Sequence, residues 1–218
     1  MRARTDTVRW TRRGGDAVAI VVGLAVLAVG SLAVRDGDVS AVEESIFSAI
    51  NGAPGALYPV LWPFQQLGAL LVGPAVAVLA AVARRFRLAV AALGATVAKL
   101  ALERVVKAMV TRERPGTSIG PDIEARGDVS LSGESFVSGH AVLVAALAGL
   151  ITPYLHGRWK LLPWVVVGLV MVTRVYVGAH NPLDVVCGAA LGLAIAGGLN
   201  LLLGVPAPRP GRGPASVE

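Results

Sequence analysis

Six long apolar stretches constrain the fold of this chain more than any other feature. They run Asp16–Val34, Tyr58–Ala83, Leu88–Val110, Ala141–Tyr154, Leu161–Gly178 and Leu183–Val205. Several reach the ~20 residues that an α-helix needs to cross hydrocarbon. They are too long and too uniformly apolar for strands, which alternate when half-buried. Ala141–Tyr154 is short and needs its polar head or its neighbours to span. Only 16% of the 218 residues are charged, against about 25% in soluble domains, as expected for a chain solvated by lipid. The expected fold class is all-α, a polytopic membrane helix bundle with six transmembrane helices. The expected organisation is a basic cytoplasmic tail (1–15), a membrane domain (16–205) and a Pro/Gly-rich disordered cytoplasmic tail (206–218). No internal repeat is visible. The lone Cys187 lies in an apolar stretch and leaves no intramolecular disulfide to form.

The net charge of +6 is a topology signal. With the N-terminus in the cytoplasm, Arg2, Arg4, Arg9, Arg12, Arg13, Arg84, Arg85, Arg87, Arg158, Lys160, Arg209 and Arg212 all fall inside, against Asp6, Asp16 and Glu218. Every short loop agrees with the positive-inside rule, and the charge needs no nucleic-acid partner. Ser31–Leu32–Ala33 resembles a signal-peptide cleavage triplet, but nineteen apolar residues are long for a signal core, so an uncleaved helix is expected. In the loop 35–57, Val39, Val42, Ile46 and Ile50 recur at helical spacing, which predicts a short interfacial packing helix.

Chemistry concentrates at one end of the bundle. Lys99, Glu103 and Lys107 share a face of the third apolar stretch, as residues four apart do on a helix. For Lys99 and Glu103 a structural ion-pair ladder is the expectation. Beyond Lys107, Pro115 stiffens the turn after Arg114, so that Lys107, Arg112 and Arg114 surround one point. Convergent Lys and Arg suit the oxygens of a phosphoryl group. Ser138–Gly139–His140 opens the next helix: Ser138 can cap it and Gly139 allows close approach to its N-terminus, an anion site. In the third set, Arg174 is followed after five residues by His180 and after three more by Asp184. Asn181 and Pro182 are good first residues for a helix. Asp184 then stands close enough to hold one imidazole nitrogen of His180 and leave the other free. All three sets fall on the extracytoplasmic face, and their chemistry fits phosphoryl transfer.

The ordered pattern K-x6-R-P, S-G-H and R-x5-H-x3-D, from Lys107 to Asp184, resembles the signature of the type 2 phosphatidic acid phosphatase superfamily, in its membrane branch of lipid phosphate and undecaprenyl pyrophosphate phosphatases. The resemblance implies that His180 is the nucleophile, forming a phosphohistidine, that Asp184 orients it, and that His140 protonates the leaving oxygen. It implies that Lys107, Arg114, Ser138, Gly139 and Arg174 hold the phosphate, and that neither a metal nor another cofactor takes part. Val137 stands where the family usually has proline, and Thr173 where it usually has serine. His156 matches no motif. The partners expected are the membrane and a phosphorylated lipid, with oligomeric state open. Phosphatidic acid, phosphatidylglycerol phosphate and polyprenyl (pyro)phosphates would all fit. Three rival readings remain at this point. His140, His180 and Asp184 could form an iron triad, though the surrounding cations oppose it. A lipid phosphotransferase would use the same intermediate. A binding or transport protein would use the pocket without turnover. The acidic loop 116–134 is expected to be solvated rather than a lid.

Overall fold

A computed structural model describes residues 9–207. Among these the chain forms nine α-helices: α1 (Gly14–Ala33), α2 (Ala41–Asn51), α3 (Tyr58–Gln66), α4 (Val72–Val82), α5 (Phe86–Met109), α6 (Pro115–Ser118), α7 (Gly139–Ile151), α8 (Leu162–Tyr176) and α9 (Pro182–Leu203). A 3-10 turn continues α7 through Thr152–Tyr154, and another leads into α8 over Gly157–Leu161. Two short strands, β1 (Trp10–Thr11) and β2 (Val205–Pro206), pair antiparallel and tie the start of α1 to the end of α9.

α9 is the axis, packed against α1 on one side and α7 on another. Small residues make this possible. A Cβ on Gly188 would lie 2.7 Å from the Ser138 carbonyl oxygen, and one on Gly197 would lie 2.5 Å from that of Asp16. A Cβ on Gly192 would collide with the Val142 carbonyl, and one on Gly30 with Cys187 Sγ. In lipid, apolar side chains gain little by leaving their surroundings, so close backbone approach and dispersion hold helices together. The outward residues Val21, Leu32, Leu79 and Val82 are correspondingly exposed. The protein is a polytopic all-α membrane bundle. α1, α8 with its leading turn, and α9 are each long and apolar enough to cross a membrane. α5 has the length, at 24 residues, but carries Lys99, Glu103, Arg104 and Lys107.

Two sequence expectations need correction here. The stretch Tyr58–Ala83 is not one helix but α3 and α4, joined by turns at 67–71. The break falls where Gly68 meets His140: a Cβ on Gly68 would lie 2.7 Å from His140 Cβ. The short helix expected in the loop 35–57 does form, as α2, but it buries a different face. Val42 and Ile46 are exposed, while Glu43, Phe47 and Asn51, each four residues apart, are buried. Of the two expected tails, residues 1–8 and 208–218 lie outside the described residues.

Candidate active site

The turn from α8 into α9 places His180. Gly178 makes the turn at φ +78°, a conformation that costs a side-chain-bearing residue energy. Asn181 is the N-cap of α9 and Pro182 its first residue, as their sequence positions led one to expect. The Asn181 N–H donates to Asp184 Oδ2 at 2.8 Å. His180 Nδ1 is 3.6 Å from the same oxygen, too far for a direct hydrogen bond. Ser135 fills the gap. Its Oγ donates a short hydrogen bond to Asp184 Oδ2 and stands 3.3 Å from His180 Nδ1. Since the single serine proton goes to the carboxylate, Oγ is left to accept from Nδ1–H, and Nε2 then carries no proton. Burial pushes the His180 imidazole down to about 4, against the upward pull of the neighbouring Asp184 carboxylate.

Arg112 is not one of the cations facing a ligand, as the sequence led one to expect. It is 1% exposed and underlies Asp184. Nη1 donates to Asp184 Oδ1 at 2.9 Å, and the guanidinium grips Glu43 with bonds of 3.1 and 2.6 Å. Glu43 also accepts from the Leu183 N–H at 2.8 Å. A guanidinium forks naturally across two carboxylates. The paired carboxylates raise the Arg112 guanidinium above its usual range, although burial alone would lower it. Neither Glu43 nor Ser135 was picked out in the sequence as a site residue. Glu43 lay in a helix read as packing. The available signal was an acid on the same helical face as Phe47 and Asn51.

Above this floor lies a cavity of about 400 Å³, lined by Arg114, Arg174, His140, Tyr58, Trp62 and Gln65 among others. Arg114 is anchored by hydrogen bonds from Nη1 to the carbonyls of Ala179 (3.2 Å) and Ser130 (3.3 Å). Arg174 is 6% exposed, and its Nε has no hydrogen-bond partner among the described residues. His140 lies within electrostatic reach of Arg174, His180, Lys99 and Arg114. His180 is 3% exposed and does not itself line the cavity.

Lys107 is engaged by Glu103 at 3.2 Å, and Lys99 by the same carboxylate at 2.7 Å, so the ladder read in α5 forms and includes Lys107. Gly139 is where that carboxylate meets the start of α7: a Cβ there would lie 2.5 Å from Glu103 Oε2. Ser138 takes the N-cap position of α7 but makes no side-chain cap. Its buried Oγ has no partner among the described residues, and its N–H donates to the Asp184 carbonyl at 3.0 Å. Val137 and Phe136 are fully buried in the core, which positions Ser138 by packing where the family usually places proline.

The loop 116–134 is clamped, although its acids Asp122, Glu124 and Asp128 are exposed as expected. Arg126 donates to the carbonyls of Asn51 (2.6 Å), Tyr176 (2.8 Å) and Ala53 (2.9 Å), and stacks 4.2 Å over the Tyr176 ring. The loop returns through a Glu113–Glu134 bridge, which sets Ser135 beside Arg112. Among the described residues no three His, Cys, Asp or Glu side chains are grouped to hold a metal ion.

Helices α5 to α9, with the histidines at their turns, define the class. The family model of the PAP2 superfamily matches residues 86–204, more than half of the chain, and the protein belongs to that superfamily. Two solved structures share its fold. LpxE from Aquifex aeolicus has 23% identity and a TM-score of 0.67, covering 75% of this chain and 96% of its own. A transmembrane PAP2-type phosphatidylglycerolphosphate phosphatase from Bacillus subtilis has 23% identity and a TM-score of 0.65, covering 84% of this chain and 94% of its own. No curated protein matches the chain in sequence.

Proposed function

We propose that this protein is a metal-independent membrane phosphatase that hydrolyses a lipid phosphate or polyprenyl (pyro)phosphate at the extracytoplasmic face. The observation that carries the reading is the His180–Ser135–Asp184 relay beside a cavity walled by Arg114 and Arg174. His180 Nε2 attacks phosphorus and the bond to the leaving oxygen breaks. Nδ1–H stays on the imidazole, and its developing charge is matched by Asp184 through Ser135. His140 gives its proton to the leaving oxygen and recovers one from the water that then opens the N–P bond. Arg114, Arg174, Lys107, the Ser138 hydroxyl and the Gly139 N–H hold the phosphoryl oxygens, where positioning and charge stabilisation supply the rate. Lys107 exchanges its Glu103 partner, at least in part, for the phosphate.

The substrate reading gains support from the membrane setting and from the PAP2-type phosphatidylglycerolphosphate phosphatase that shares the fold. The test is phosphate release from a panel of lipid phosphates by the purified protein, with chelator and with vanadate. Release that survives chelator and is blocked by vanadate is expected. Release that requires one divalent metal would overturn the metal-free mechanism, and no release from any lipid phosphate would overturn the phosphatase reading. For orientation, a cysteine at the exposed Ser132 in a Cys187→Ala background should react with an impermeant reagent from outside the cell. Labelling only from the cytoplasmic side would overturn the face assigned.

A further inference from the structure

A second cavity, of about 300 Å³, lies among Arg13, Asp16, Ala19, Trp164, Leu193 and Asn200. It lies toward the other end of α9 from His180. α9 carries Asp184 at one end and Asn200 near the other, sixteen residues on, or roughly 24 Å along a helix axis.

This cavity is lined by a buried aspartate, Asp16, paired with a partly exposed arginine, Arg13. Asp16 is 8% exposed. Its Oδ1 accepts from Asn200 Nδ2 at 2.9 Å. Its Oδ2 has no hydrogen-bond partner among the described residues. Arg13 Nε stands 3.5 Å from Oδ2 and is likewise buried without a hydrogen bond. The two face each other as a long ion pair in which neither atom makes a hydrogen bond, so Oδ2 can still take a donor and Nε an acceptor. Leaving such groups unmatched in an apolar setting costs free energy. The other walls are apolar, from Ala19 and Leu193, with Trp164 in the first turn of α8. Tryptophan is favoured at membrane–water interfaces, where one side is apolar and the other wet.

We propose that this cavity binds a phospholipid with a primary-amine head group, the ammonium donating to Asp16 and the phosphate accepting from Arg13. The glycerol and upper chain lie against Ala19 and Leu193. The pair is neutral overall, as is a zwitterionic head. A choline head has no N–H for Oδ2, and a glycerol head brings an anion without a cation for Asp16.

The site makes no use of the phosphatase reading, and its test needs no activity. Delipidated full-length protein is mixed with equal amounts of phosphatidylethanolamine, phosphatidylcholine and phosphatidylglycerol, and the retained lipid is weighed by native mass spectrometry. The ethanolamine lipid should be retained about tenfold or more over the other two, the worth of one charge-assisted hydrogen bond. Asp16→Asn, which keeps an oxygen for Asn200, should bring it to the choline level. Arg13→Gln, at a partly exposed side chain, should weaken it as a second variant. Equal retention of the three heads by the unmodified protein overturns the proposal. So does ethanolamine selectivity that survives either substitution unchanged.

Discussion

Arg112 and Arg174 are buried at the same site, in two regions built on opposite plans. Arg112, beneath Asp184, has its charge matched by two carboxylates of the chain itself. Arg174, in the cavity wall, has no ion pair among the described residues, and its Nε has no hydrogen bond there. A buried charge is tolerable when its partner is fixed beside it and costly when it is not. The floor is matched within the fold, whereas the wall is left with an unmatched cation. Under the function proposed here, its partner is a phosphoryl group. The same residue type, at one site, is matched in one region and unmatched in the other.

The contrast can be broken in several ways. The largest effect expected is from His180→Ala, which should lose phosphate release by about 10⁴-fold or more on both a lipid phosphate and p-nitrophenyl phosphate. Next is the floor. Arg112→Leu leaves Glu43 and Asp184 buried and uncompensated, and should cost about 3–5 kcal/mol, read as a lowered thermal midpoint in detergent. Arg174→Leu should leave that midpoint unchanged or raised while abolishing inhibition by phosphate. If both arginines lower it alike, the floor and wall are not distinct.

His140→Ala should lose roughly 10²–10⁴-fold on an alkyl phosphate, whose leaving oxygen is basic, and far less on the nitrophenyl ester. Equal losses would remove its role as acid. Acid should act on the floor through His180. Its folded value of about 4 lies below the ordinary ~6.5, so the unfolded chain binds the proton more readily. Stability is then fully present above pH 6.5 and falls by on the order of 3 kcal/mol as pH drops to 4. His180→Gln should flatten that part of the midpoint-against-pH curve, and an unchanged slope would count against the buried neutral imidazole. The smallest effect expected is from Ser135→Ala, about tenfold in kcat with KM unchanged, because Asp184 keeps Arg112 and the Asn181 N–H. A raised KM would place Ser135 on the ligand instead.

The helical bundle, the spans of α1, α8 and α9 and the order of the motifs were legible in the sequence because each depends on residues near one another along the chain. Lys99, Glu103 and Lys107 met as spacing of four dictates. What the sequence hid was set by distant contacts. Glu43 reaches Arg112 from 69 residues away, and no local pattern marks it except its place on the face with Phe47 and Asn51. Arg112 read as a ligand-facing cation because its cationic neighbours were visible and its carboxylate partners were not. The break between α3 and α4 escaped notice because the residue that Gly68 approaches there, His140, lies on another helix. Ser135 lay three residues before the S-G-H motif, but its role appears only once the Glu113–Glu134 bridge has folded back.

The seating of α1 on α9 has a consequence for how the protein is made. α1 leaves the ribosome first, yet its glycine-lined face fits the last helix, completed about 170 residues later. At synthesis rates of about 5–20 residues per second, α1 waits in the membrane for roughly ten to thirty seconds before its partner exists. During that time lipid, an insertion chaperone or an earlier-made helix of the chain covers the face that α9 will fill.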